Sequence, residues 1–170
     1  MALYLIANGA MPTTAAFVKV TTGTSVKTMQ QVQASATNGF KIREWGVSFD
    51  GNSAATPIEV ELIDTGTVAA TVTANAQADI MPFDAMAYNN GNVVTNLIPV
   101  GTTATGFTST SEGSIASIRT LDLQLVAPTN QYIKQFPLGT EPYIPPGHNA
   151  RIRVTAGAAV NAYTYMIVEV

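Results

Sequence analysis

Few side chains in this 170-residue sequence could do chemistry, and their types set the question. Cysteine is absent, which removes disulfides, thiolate zinc sites, iron–sulfur clusters and thiol nucleophiles. The one histidine, His148, follows Pro145-Pro146-Gly147 and belongs to a turn, with no companion at metal-ligand spacing. Glu59 and Glu61 stand two residues apart on an extended segment, about 7 Å from each other by strand rise, a separation within reach of glycoside-hydrolase carboxylate pairs. Alternating glutamates on a strand face are also ordinary solvation. That reading is the stronger one, because no other acid is placed to join them. Ser109, Ser111 and Ser114 fit no nucleophile elbow. Asp50-Gly51-Asn52 has too few carboxylates for a calcium loop and reads as a hairpin turn. The expectation is a protein that is not an enzyme, with no catalytic residue, cofactor or metal.

Binding residues are easier to nominate. Arg151 and Arg153 repeat the two-residue spacing of Glu59 and Glu61. If the two strands are neighbours, the four make a cross-strand ladder worth about 0.2 to 1 kcal/mol per pair. Alternatively they meet a second subunit, since arginine is enriched in interfaces. Leu3 and Tyr4, in the apolar segment Met1 to Ala7, join them as candidate interface residues. Tyr163 and Tyr165 share one face of the last strand, and Tyr143 sits in the Pro-rich turn. Exposed tyrosines stack sugars, so these three are candidate ligand-stacking residues under an alternative reading, a carbohydrate- or receptor-binding module. They could equally be core or subunit contacts. Trp45 is expected to anchor the core.

The elements that must position these residues are strands. The chain holds 23 threonines, 13 glycines and 9 prolines, with only 11% charged residues to populate an exposed helical face. Phe40 to Phe49 alternates, placing Arg43, Trp45, Val47 and Phe49 on one face. Pro57 to Ile63 places Ile58, Val60 and Leu62 on one face, and Asp64-Thr65-Gly66 is expected to form a tight hairpin into a strand over 67–73. Residues 75–106 form a long excursion, with Asn89 to Asn92 its most flexible point. Alternation returns over 115–126, with Ile118, Thr120 and Asp122 opposing Arg119, Leu121, Leu123 and Leu125. Further strands follow at 132–138, an edge strand because of Pro137, at 151–155 with Ile152 and Val154 inward, and at 162–170. About seven strands from Phe40 onward predict an all-β fold, an antiparallel β-sandwich of jelly-roll-like form.

Residues 1–38 are read as a strand-forming N-terminal extension and 39–170 as the sandwich domain. The extension has two uses, adding strands to the sandwich or reaching a neighbouring subunit. No apolar run approaches the ~20 residues of a membrane-spanning helix, and the N-terminus lacks the cationic start of a signal peptide. A net charge of −3 and a pI near 4.9 argue against nucleic acid as a partner. The expected place of synthesis is the cytoplasm.

The blocks Trp45-Gly-Val-Ser-Phe-Asp-Gly51, Pro57-Ile-Glu-Val-Glu-Leu62, Ala104-Thr-Gly-Phe-Thr-Ser-Thr-Ser-Glu-Gly113, Gln131-Tyr-Ile-Lys-Gln-Phe-Pro-Leu-Gly139 and Arg151-Ile-Arg-Val-Thr-Ala-Gly-Ala-Ala-Val-Asn-Ala162 occur in this order. In that order they resemble small virion structural proteins of tailed phages of actinobacteria. The resemblance covers roughly residues 39–170 and leaves the first 38 outside it. It implies a structural β-sandwich, a capsid decoration protein displayed as a homotrimer on the lattice of the major capsid protein, with no catalytic residues to carry over. The expected location is the capsid surface of the virion. Under the alternative reading the partner is a host-surface glycan. The N-terminal extension and the 75–106 excursion are the expected contact elements.

Overall fold

The computed structural model describes residues 2–52, 56–84 and 96–170. Asn89 to Asn92 lie outside the described residues. Among the described residues thirteen strands run in chain order: β1 (Leu3–Ala7), β2 (Val20–Thr21), β3 (Lys27–Gln33), β4 (Phe40–Phe49), β5 (Ile58–Asp64), β6 (Thr71–Ala74), β7 (Ile80–Pro82), β8 (Gly106–Ser111), β9 (Arg119–Val126), β10 (Gln131–Gln135), β11 (Tyr143–Ile144), β12 (Asn149–Thr155) and β13 (Asn161–Glu169). They form two antiparallel sheets packed as a β-sandwich. The seven-stranded sheet has the order β10-β4-β13-β1-β7, with β11 also pairing β4 and β2 also pairing β13. The six-stranded sheet has the order β6-β8-β3-β12-β5-β9. From Phe40 onward there are ten strands among the described residues instead of about seven, because short strands such as β7 and β11 carry too few residues to show a period.

The N-terminal segment adds its strands to both sheets. β1 lies between β13 and β7, and β3 lies between β8 and β12. Ile6, Met29 and Val32 belong to one core with Ile42, Trp45, Leu62, Ile152 and Met166. Polar side chains cross that core as satisfied links. Gln30 on β3 donates to the Ile6 carbonyl at 2.6 Å and accepts from the Thr164 hydroxyl at 3.1 Å, so it fastens one sheet to the other.

Two local readings are corrected by the pairing. The face of β4 shifts parity at a bulge: Glu44 pairs Ile167 and Ile42 pairs Val168, which leaves Arg43 as the extra residue. Phe40 and Ile42 therefore turn inward with Trp45, Val47 and Phe49, while Arg43 leaves the core face. The Asp64-Thr65-Gly66 turn makes no hairpin. β6 pairs β8, and β8, β3 and β12 all stand between it and β5. Gly66, at φ +61°, instead starts a connection that crosses the outer face of the six-stranded sheet. Buried side chains on that face hold it: Gln31 accepts from the Ala70 N–H at 2.8 Å, and Arg151 donates to the Val68 carbonyl. Asp50-Gly51-Asn52 likewise leads out of β4 towards the other sheet and not into a hairpin, and the Gly51 N–H bonds the Pro128 carbonyl at 2.7 Å.

Candidate functional site

Along β13 the side chains alternate between sides of the seven-stranded sheet. Ala162, Thr164, Met166 and Val168 are buried, whereas Tyr163, Tyr165 and Ile167 look outward and are half-buried. Leu5 on β1 stands opposite Ile167, Ala7 opposite Tyr165, and Ile133 on β10 opposite Gly46. The outer face of this sheet mixes these apolar residues with Glu44, Ser48, Gln131 and Gln135, and part of it opens into a groove of about 700 Å³. Leu3, Phe83, Phe136, Leu138 and Ile167 line the groove. Leu138 is 85% exposed and Phe83 60%. Arg43, put on this side by the β4 bulge, forms ion pairs with Glu141 and Glu169 and makes the polar wall. An apolar floor with a paired-charge rim is the build of a protein-binding surface.

Above the groove runs an aromatic row. Phe17 meets Tyr163 edge-on at 5.0 Å, and Tyr163 lies 5.9 Å from Tyr165 at a tilt of 31°. The Tyr165 ring covers Gly46, where a Cβ would fall 2.4 Å from it, and its hydroxyl donates to Glu44 at 2.6 Å. Burial raises the pKa of both tyrosines, and for Tyr165 the bond to Glu44 adds to the shift. Their rings are committed to neighbours in the sheet. Tyr143 is 47% exposed but pairs with Lys41 on β4, five residues and about 16 Å by strand rise from Gly46. The three tyrosines do not form one stacking platform.

The remaining sequence candidates separate into surface and interior. Leu3 is 38% exposed and lies in the groove, whereas Tyr4 is only 6% exposed and belongs to the core, because alternation on β1 turns it to the opposite side. β12 does run beside β5, with Arg153 directly opposite Glu61, and this one rung of the ladder forms with Nη2 at 2.9 and 3.2 Å from the two carboxylate oxygens. Glu59 stands opposite Thr155 and Leu125. Arg151 faces Ile63 and is fully buried, so as an interface residue it is corrected. Under the crossing connection it donates to the Glu112 carbonyl at 3.0 Å and lies 3.5 Å from the Glu112 carboxylate. Desolvation lowers its pKa to about 10, partly offset by Glu112. Glu112 in turn accepts from the Thr28 N–H at 2.7 Å, the Thr28 hydroxyl at 2.6 Å and the Ser109 hydroxyl at 2.5 Å. Ser109 is thus part of a structural network.

Sequence reasoning missed two further polar clusters, both joined by residues far apart in the chain. His148 lies in its turn as expected, and its Nδ1 is 3.1 Å from the buried Asp64, which also takes Arg119 at 3.0 Å. Asp122 bridges the sheets at their open side, accepting from the Tyr132 hydroxyl at 2.9 Å with Lys134 at 3.5 Å. Burial first, then this bond, pushes the Tyr132 hydroxyl up to about 12. In the unfolded chain it ionises near 10. The stabilisation is therefore complete below about pH 10 and is lost as the pH rises towards about 12. Denaturant unfolding across that window is expected to show wild type losing stability faster than Tyr132→Phe, and parallel curves would contradict the assignment.

Among the described residues no group of three His, Asp or Glu side chains gathers as a metal site would require, and no helix is long and apolar enough to cross a membrane. Fold and surface together give a β-sandwich with an open apolar groove on one sheet. No protein family matches the chain, and no curated protein or solved structure matches it either.

Proposed function

We infer that the protein is a structural component of a phage virion, a decoration protein that binds the outside of the major capsid lattice and stabilises it. The observation that carries this reading is the composition of the groove. Leu3 comes from the N-terminal segment, Phe83 from the 75–106 excursion and Leu138 from the segment after β10, so separate parts of the chain converge on one apolar docking surface. The ordered sequence blocks that resemble actinobacterial phage virion proteins point the same way. Many modest contacts of this kind, repeated over a symmetric lattice, hold by avidity without one strong site.

The test is the copy number of this chain relative to the major capsid protein in salt-washed particles. On the order of hundreds of copies per particle is the expected result for a lattice-wide partner. A few copies, or loss on washing, would assign the protein to a fibre or to no part of the shell.

A further inference from the structure

Six strands have a single partner strand among the described residues, and the chain treats them differently: β2 and β11 have only two residues each. β7 has three residues and includes Pro82; β10 has five and carries Lys134; β6 has four and shifts register twice against β8. Each has a feature that discourages pairing with another chain: shortness, proline, lysine or a bulge. β9 is different. It has eight residues, pairs only β5 among the described strands, and exposes Leu123 at 53% and Leu125 at 73%. Its single register shift lies at Leu121, leaving 122–126 regular.

The backbone of that stretch is open. The Leu123 N–H donates not to β5 but to the Asp122 carboxylate at 3.0 Å, so Leu123, and by alternation Leu125, aim their main-chain groups away from the sheet. We propose that β9 is a self-pairing edge: two copies of this chain join antiparallel, about a two-fold axis at Gln124, into a continuous twelve-stranded sheet. That register sets Leu123 against Leu125 of the second copy and Leu125 against its Leu123. Four leucines then cluster on one face over four main-chain hydrogen bonds. A second copy is the occupant because the strand is its own complement. Its one charge between residues 122 and 126, Asp122, is already met by Lys134 within the same chain, so identical edges meet without unpaired like charges. The pairing is separate from the capsid reading, since the groove lies on the other sheet.

Because the chain has no cysteine, single-cysteine variants report the register directly. At the axis, Gln124→Cys brings two thiols within disulfide range, at a Cα separation of about 4.5 Å. Leu123→Cys leaves them diagonal at about 8 Å, beyond that range. Under a mild oxidant such as oxidised glutathione, Gln124→Cys is expected to give covalent dimer at least about tenfold faster than Leu123→Cys. Sedimentation of the full chain at about 100 µM is expected to show a wild-type dimer, and for Leu123→Lys combined with Leu125→Lys a monomer whose far-ultraviolet circular dichroism matches wild type. A monomeric wild type, an oligomer indifferent to the two lysines, or equal cross-linking at 123 and 124 would overturn the proposal.

Discussion

Replacing Arg151 by alanine is expected to lower the unfolding free energy by about 3 kcal/mol, read from denaturant midpoints at unchanged slope. The guanidinium is fully buried and reaches three acceptors: the carbonyls of Val68 and Glu112 and, at 3.5 Å, the Glu112 carboxylate. Removing it takes a donor from the part-buried Glu112 carbonyl, at about 1 to 3 kcal/mol before relaxation, and leaves a cavity under the crossing connection, while the Val68 carbonyl keeps the Thr65 hydroxyl at 2.8 Å. Glu112 suffers less, since it is 24% exposed and keeps its bonds from Thr28 and Ser109. This holds the expected loss near the lower end for a broken buried pair. Arg151→Met separates the terms. It restores volume but no donor, so it should fall between wild type and alanine. A methionine variant as stable as wild type would mean that the arginine acts by packing alone.

The same residue shows what a sequence can and cannot disclose. Alternation at Arg151, Ile152, Arg153 and Val154 correctly placed the isoleucine and valine in the core, because period two is a property of the strand itself. It left open what covers the arginines. Arg153 met Glu61 as its neighbouring strand allowed, while Arg151 was buried by a connection 83 residues away. β4 shows a second limit. One extra residue at Arg43 reverses the faces on either side of it, and a single-sequence pattern has no mark for that insertion.

β9 shows a third limit. The pattern there was legible but its direction was not. Asp122 turns inward, where Tyr132 and Lys134 meet it, and the leucines turn outward, opposite to the usual rule of apolar side in. The groove was half legible. Leu3 was nominated, yet Phe83 sits in a stretch without periodicity and Leu138, expected to end a strand over 132–138, lies beyond the end of β10 at Gln135, so only the fold brings them together.

The second large effect is expected at that groove, from Phe83→Asp combined with Leu138→Asp. Both side chains are mostly exposed, so the isolated fold should change by no more than about 0.5 kcal/mol. Docked against a partner, two carboxylates would have to leave water without a cation to meet them, since Arg43 is already engaged by Glu141 and Glu169. Affinity should fall at least about 100-fold, or roughly 2.7 kcal/mol. The direct measurement is rebinding to phage particles stripped of this protein, with wild type and double variant titrated side by side. Wild type is expected to saturate at a fixed ratio to the major capsid protein while the double variant stays in solution; equal binding by both, or by neither, would contradict the proposed capsid decoration.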